Sequence, residues 1–96
     1  MIVIIVENCP TSLRGELSRW LIQPKPGIFV GKVSALVREQ LWEMCISKVR
    51  DGSVIQIWNA NNEQGFSVRT HGTENRIMED YEGLVLVKEL TIGTSI

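Results

Sequence analysis

The stretch Ile2-Val3-Ile4-Ile5-Val6-Glu7-Asn8-Cys9-Pro10 decides the fold class. Five consecutive β-branched residues make a strand-length run with no polar alternation, the pattern of a strand covered on both faces. Asn8, Cys9 and Pro10 end it. Thr11 or Ser12 can cap a helix in which Leu13, Leu17, Trp20 and Leu21 form an apolar stripe. Pro24, Pro26 and Gly27 then break the helix and turn the chain.

Further on, Ile28–Val33 reads as extended, bent or divided at Gly31. Ser34 can cap a second helix running to about Arg50. Its apolar positions, from Leu36 through Trp42 and Cys45 to Val49, exceed the stripe that one core requires, so part of it should meet another layer or chain. Ser53–Asn59 is a strand with Ile55 and Ile57 on one face and Val54 and Trp58 on the other. The Asn-rich loop 60–65 leads into a strand over Phe66–His71. After a polar loop, Leu84–Leu90 reads as a last strand, apolar on both faces. The sum is an α+β sandwich with a ferredoxin-like βαββαβ core and extra C-terminal strands, a single domain over residues 1–96. Two helices cover one sheet face, so strands apolar on both sides call for a partner, and a two-fold homodimer supplies one.

Composition bounds the function. The 96 residues carry 10 Lys+Arg and 11 Asp+Glu, a net charge of −1, which excludes a generally basic nucleic-acid binder. The first 40 residues are the more basic part, with Arg14, Arg19, Lys25, Lys32 and Arg38 against Glu7, Glu16 and Glu39, so a basic surface has to be assembled locally. Cys9, Cys45 and a single His71 lack zinc-ligand spacing and read as structural residues. The start has neither the basic region nor the length of a signal peptide, and no apolar run approaches a membrane span, so the expected location is the cytoplasm.

Read together, Val3–Pro10, Leu13-Arg14-Gly15, Trp20-Leu21, Gly27–Ala35, Arg38-Glu39, Trp42-Glu43, Trp58, Glu63–Phe66, Thr70, Gly72, Asn75-Arg76 and Asp80-x-x-Gly83-Leu84 resemble, in order and spacing, the small CRISPR-associated protein family Cas2 in its type I-E form. That resemblance implies a ferredoxin-like homodimer whose C-terminal strands cross to the partner protomer's sheet. It implies assembly with the CRISPR integrase Cas1, two integrase dimers flanking one central dimer, to capture short DNA duplexes for insertion into the CRISPR array. The integrase holds the catalytic centre in such systems. The small protein spaces the two centres and supports the middle of the duplex.

Candidate site residues follow. Glu7 stands at a strand end where relatives outside type I-E carry an Asp, proposed to bind Mg²⁺, one from each protomer, for phosphodiester cleavage. As a purely structural residue Glu7 would accept hydrogen bonds from backbone amides at the start of the first helix. Arg14, near that helix start, suits a phosphate, and the family pattern adds Asn75 and Arg76 to a basic band across the dimer. Arg38 is a weaker member, with Glu39 and Glu43 close by in sequence to neutralise it. Trp20 belongs to the core. Trp42 and Trp58 are assigned to an interface or core edge, and Leu84, Val85, Leu86, Val87 and Leu90 to the segment 84–96 shared with a partner chain. The first functional reading is therefore a dimeric adaptor, needing no cofactor. The alternative is a Mg²⁺-dependent endonuclease acting through Glu7. An acylphosphatase is excluded, because the loop after the first strand lacks the glycine and arginine of a phosphate cradle.

Overall fold

The computed structural model describes residues 1–72. Strand β1 (Ile2–Glu7) leads to helix α1 (Thr11–Leu17), followed by strands β2 (Ile22–Lys25) and β3 (Ile28–Gly31), helix α2 (Ala35–Lys48), and strands β4 (Ser53–Asn59) and β5 (Phe66–His71). The strands form one antiparallel sheet in the order β2-β3-β1-β4-β5. The first four strands have the connectivity and order of a ferredoxin-like fold, and β5 extends that sheet beyond β4. The expected strand over Leu84–Leu90 lies outside the described residues.

The alternation hidden in the β1 run is resolved by its neighbours. Ile2, Ile4 and Val6 pair with Trp58, Gln56 and Val54 of β4 on one face, and Ile4 also faces Phe29 of β3. Leu13, Leu17, Leu41, Cys45 and Val49 of the helical layer and its flanks pack against this face to form the core. Val3, Ile5, Ile28, Val30, Ile55 and Ile57 occupy the other face and are only half-buried. Both described helices lie on the first face, so the second is apolar without a helical cover among the described residues.

The segment between α1 and β3 departs from expectation. Helix α1 opens on Pro10, whose carbonyl accepts from the Arg14 amide at 3.0 Å, and neither Thr11 nor Ser12 caps it. It ends at Leu17, where the amides of Arg19 and Trp20 turn to carbonyls three residues back. This tightening rotates Trp20 out of the stripe: Leu21 is buried, whereas Trp20 is 52% exposed and not a core residue. The prolines do not simply interrupt the chain. Pro24 sits within β2, an edge strand, where a missing amide donor breaks no sheet ladder. The hairpin β2–β3 turns at Gly27, whose φ of +82° suits glycine and whose carbonyl accepts from the Val6 amide at 2.7 Å.

Helix α2 follows the sequence reading more closely. Ser34 Oγ accepts the Val37 amide at 3.2 Å as an N-cap. Its surplus apolar residues are graded: Leu41, Trp42 and Cys45 are buried, Val37, Met44 and Ile46 half-buried, and Leu36 exposed. The loop 60–65 closes the β4–β5 hairpin as expected, with Asn62 Oδ1 accepting the Gly65 amide at 2.7 Å.

Candidate functional site

The end of β1 is a crossing point of three segments. Glu7 lies opposite Ser53 at the start of β4, and the Ser53 hydroxyl donates to Glu7 Oε1 at 3.0 Å. Its partner is thus a side-chain hydroxyl rather than the α1 backbone amides expected. Gly52 packs so closely on this turn that a Cβ there would collide with the Glu7 carbonyl oxygen, and Gly72 in turn packs on the Gly52 carbonyl. The absence of side chains lets the start of β4 meet the Glu7 backbone and the end of β5 pack on the start of β4. Asn8 takes the left-handed conformation, φ 59°, and re-aims the chain towards α1.

Beside this crossing lies a recess of about 220 Å³ lined by Val6, Asn8, Cys9, Arg14, Pro26 and Gly27. Arg14 is exposed in the middle of a seven-residue helix, as near its last turn as its first, so the helix dipole neither favours nor opposes it strongly. Burial raises the pKa of the half-buried Cys9 thiol, partly offset by the Arg14 cation. The buried Cys45 thiol is pushed up to about 12, by desolvation first and by neighbouring Cys9 second. Both cysteines are free and hold their protons at neutral pH, as packing residues do.

A second cluster, at the junction of α2 with β4 and β5, is largely new. Arg69 of β5 donates through Nε to Gln56 Oε1 at 2.7 Å, and through its two terminal nitrogens to both carboxylate oxygens of Glu39 at 3.0 and 2.9 Å. Its guanidinium lies over the rings of Trp42 and Trp58, 4.7 and 4.8 Å from their centroids. Arg38 donates through Nε to the same Glu39 carboxylate at 3.2 Å and covers Trp58 at 4.6 Å. Fully buried Gln56 completes its bonding through Nε2, which donates to the Arg38 carbonyl at 3.3 Å. Hydrogen bonds from Arg69, and more weakly from Arg38, hold the Glu39 carboxyl below its ordinary pKa. His71 meets Trp42 edge-on, 6.5 Å between ring centroids.

Trp42 and Trp58 therefore form one cluster within the chain, and Arg38 pairs with Glu39, as its sequence position suggested, but shares that carboxylate with Arg69. Sequence reasoning missed Arg69 and Gln56. The available signal was Gln56 itself, a polar residue on the core-facing side of an apolar strand, which demands buried partners. Asn75, Arg76, Leu84, Val85, Leu86, Val87 and Leu90 lie outside the described residues.

Comparison with protein families matches residues 1–86 to the family described as CRISPR-associated protein (Cas_Cas2CT1978). The chain belongs to this Cas2 family. Its role is accordingly CRISPR-related, and the five-stranded antiparallel sheet with two helices fits the ferredoxin-like fold that the resemblance implied. In this Cas2 chain no described helix is long and apolar enough to cross a membrane. Among the described residues no group of three His, Cys, Asp or Glu side chains stands together as a metal site; Glu7 offers one carboxylate, with Ser53 beside it.

Proposed function

We propose that this Cas2 chain acts in CRISPR adaptation as a dimeric adaptor that bridges two integrase dimers and supports a short DNA duplex. The observation that carries the reading is the second face of the sheet. Val3, Ile5, Ile28, Val30, Ile55 and Ile57 present a continuous β-branched surface to no described helix. Completing the burial of each half-buried side chain is worth about 1 kcal/mol, so a two-fold pairing of this surface gains enough to offset the cost of association. In this reading the Leu84–Leu90 strand is shared with a partner chain. Arg14, Asn75 and Arg76 contact phosphates without reading sequence, each neutralised phosphate adding about −0.9 to the log–log salt slope. Arg14 lines the recess beside Asn8, just past the end of β1.

Glu7 supports the second reading, a Mg²⁺-dependent endonuclease. Its exposed carboxylate ends β1 on the same side of the sheet as Val3 and Ile5, so pairing through that face would bring two copies together. Mg²⁺ is satisfied by one or two carboxylates when phosphate oxygens and water complete its shell. Light scattering coupled to size exclusion, with the protein alone and mixed with integrase and duplex, tests the adaptor: the expected result is a dimer that enters a ternary complex. Glu7→Gln separates the readings. An adaptor keeps integration in the reconstituted complex at near wild-type rate, whereas a nuclease loses Mg²⁺-dependent cleavage by about 100-fold or more.

A further inference from the structure

We infer that Arg38, set over the Trp58 ring, is the receptor for a carboxylate side chain of a protein partner, at the end of the sheet opposite Glu7. The inference rests on the adaptor reading for the partner's identity, the integrase, but the surface is read from the cluster itself. Arg38 and Arg69 share a single carboxylate, Glu39, leaving the group one anion short of neutrality. Arg69 engages all three of its nitrogens, with Gln56 and both Glu39 oxygens. Arg38 uses only Nε, and its two terminal nitrogens have no acceptor among the described residues. Its side chain is 23% exposed, so it is already ordered and partly desolvated while an edge of the fork remains reachable.

Pre-ordering matters because a guanidinium immobilised on an aromatic ring has already lost the side-chain entropy that binding otherwise costs. An arginine set over a tryptophan has the composition of an interface hot spot. The fork accepts a carboxylate in the planar two-point geometry that Glu39 already shows with Arg69.

Position separates this surface from the phosphate contacts. Glu7 pairs with Ser53 at the start of β4, and Trp58 lies five residues further along that strand, about 17 Å away. Arg14 and Gly72 belong to the Glu7 end, Arg38 to the other. Contacts that track a duplex are typically made by exposed cations. A half-buried arginine flanked by an indole and a carboxylate is the mixed surface of a protein interface.

The test titrates integrase against the full-length protein carrying Arg38→Gln or Arg38→Lys, with DNA binding by the assembled complex measured at several salt concentrations. The expected result is assembly weakened about tenfold by Arg38→Gln, partly recovered by Arg38→Lys, with an unchanged DNA salt slope. Unchanged assembly with Arg38→Gln overturns the assignment. So does a DNA salt slope shallower by about 0.9 with assembly intact, which makes Arg38 a phosphate contact. Loss of the folded circular dichroism spectrum in both variants makes Arg38 a structural residue and equally overturns it. Failure of the wild-type protein to bind integrase removes the adaptor reading, and this inference with it.

Discussion

The two faces of the central sheet are built from neighbouring residues of the same strands, yet they end in different environments. Ile4 is fully buried under the helices, and Ile5, one residue on, is half-buried on the side without them. Both are isoleucines in an unbroken apolar run, so side-chain chemistry does not set them apart. The difference is decided by where two helices can lie. Among the described residues the five-stranded sheet carries its two helices on one face, and an apolar second face is a surface that calls for a further layer or a partner.

The largest expected effect breaks the comparison at those two positions. Ile4→Ala removes buried methyl groups from a packed core and should cost about 2–5 kcal/mol in urea unfolding. Ile5→Ala should cost less than half as much in dilute protein, and its cost should grow with protein concentration as pairing of the second face is restored. Equal costs, independent of concentration, would mean that both faces are interior and that the second is covered within one chain.

A charge on the second face sharpens the same point. Ile57 lies opposite Val3 on that face, beside the buried Gln56 of the other. Ile57→Lys places an ammonium in the centre of the apolar surface and should weaken self-association about 30-fold or more, read as a shift from dimer to monomer mass in light scattering. The thermal midpoint of the resulting monomer, at equal concentration, should fall far less than that of Ile4→Ala. A dimer that survives Ile57→Lys pairs through some other surface.

These contrasts show what was legible in the sequence. The strand at Ile2–Glu7, the Ser34-capped helix and the β4–β5 hairpin follow from local pattern and turn chemistry, signals carried by residues close in the chain. The region 18–25 was misread because Leu13, Leu17, Trp20 and Leu21 satisfy helical spacing whether or not the helix continues. The choice was made by the tightened turn after Leu17 and by an edge position that tolerates Pro24. The Arg69–Glu39–Gln56 network was invisible for a different reason. Its members are separated by 30 and 13 residues, and only the pairing of β4 with β5 and the packing of α2 bring them together. At the Glu7 crossing, the sequence showed a carboxylate at a strand end but not the serine that would bond to it.

That network also qualifies the covered face, which is not apolar throughout. Where α2 reaches β5, an ion pair and a glutamine take the place of hydrocarbon, and this margin should respond to pH as the aliphatic core does not. The Glu39 carboxyl has a folded pKa below its ordinary value of 4.5, chiefly because Arg69 donates hydrogen bonds to its charged form. A depressed folded pKa contributes stability that is fully present above the unfolded value and is lost as pH falls through the folded one. The wild-type protein should therefore exceed Glu39→Gln in urea midpoint at neutral pH, with the gap closing below pH 4.5. Because the Glu39 side chain is 47% exposed, solvent and salt screen the pair, and the gap should be the smallest of these effects and should narrow further in high salt. A gap that persisted unchanged below that range would assign the difference to the amide NH2 of Gln set against the guanidinium donors of Arg38 and Arg69, rather than to the charge of Glu39. The two arginines would then owe their positions to Trp42, Trp58 and, for Arg69, Gln56.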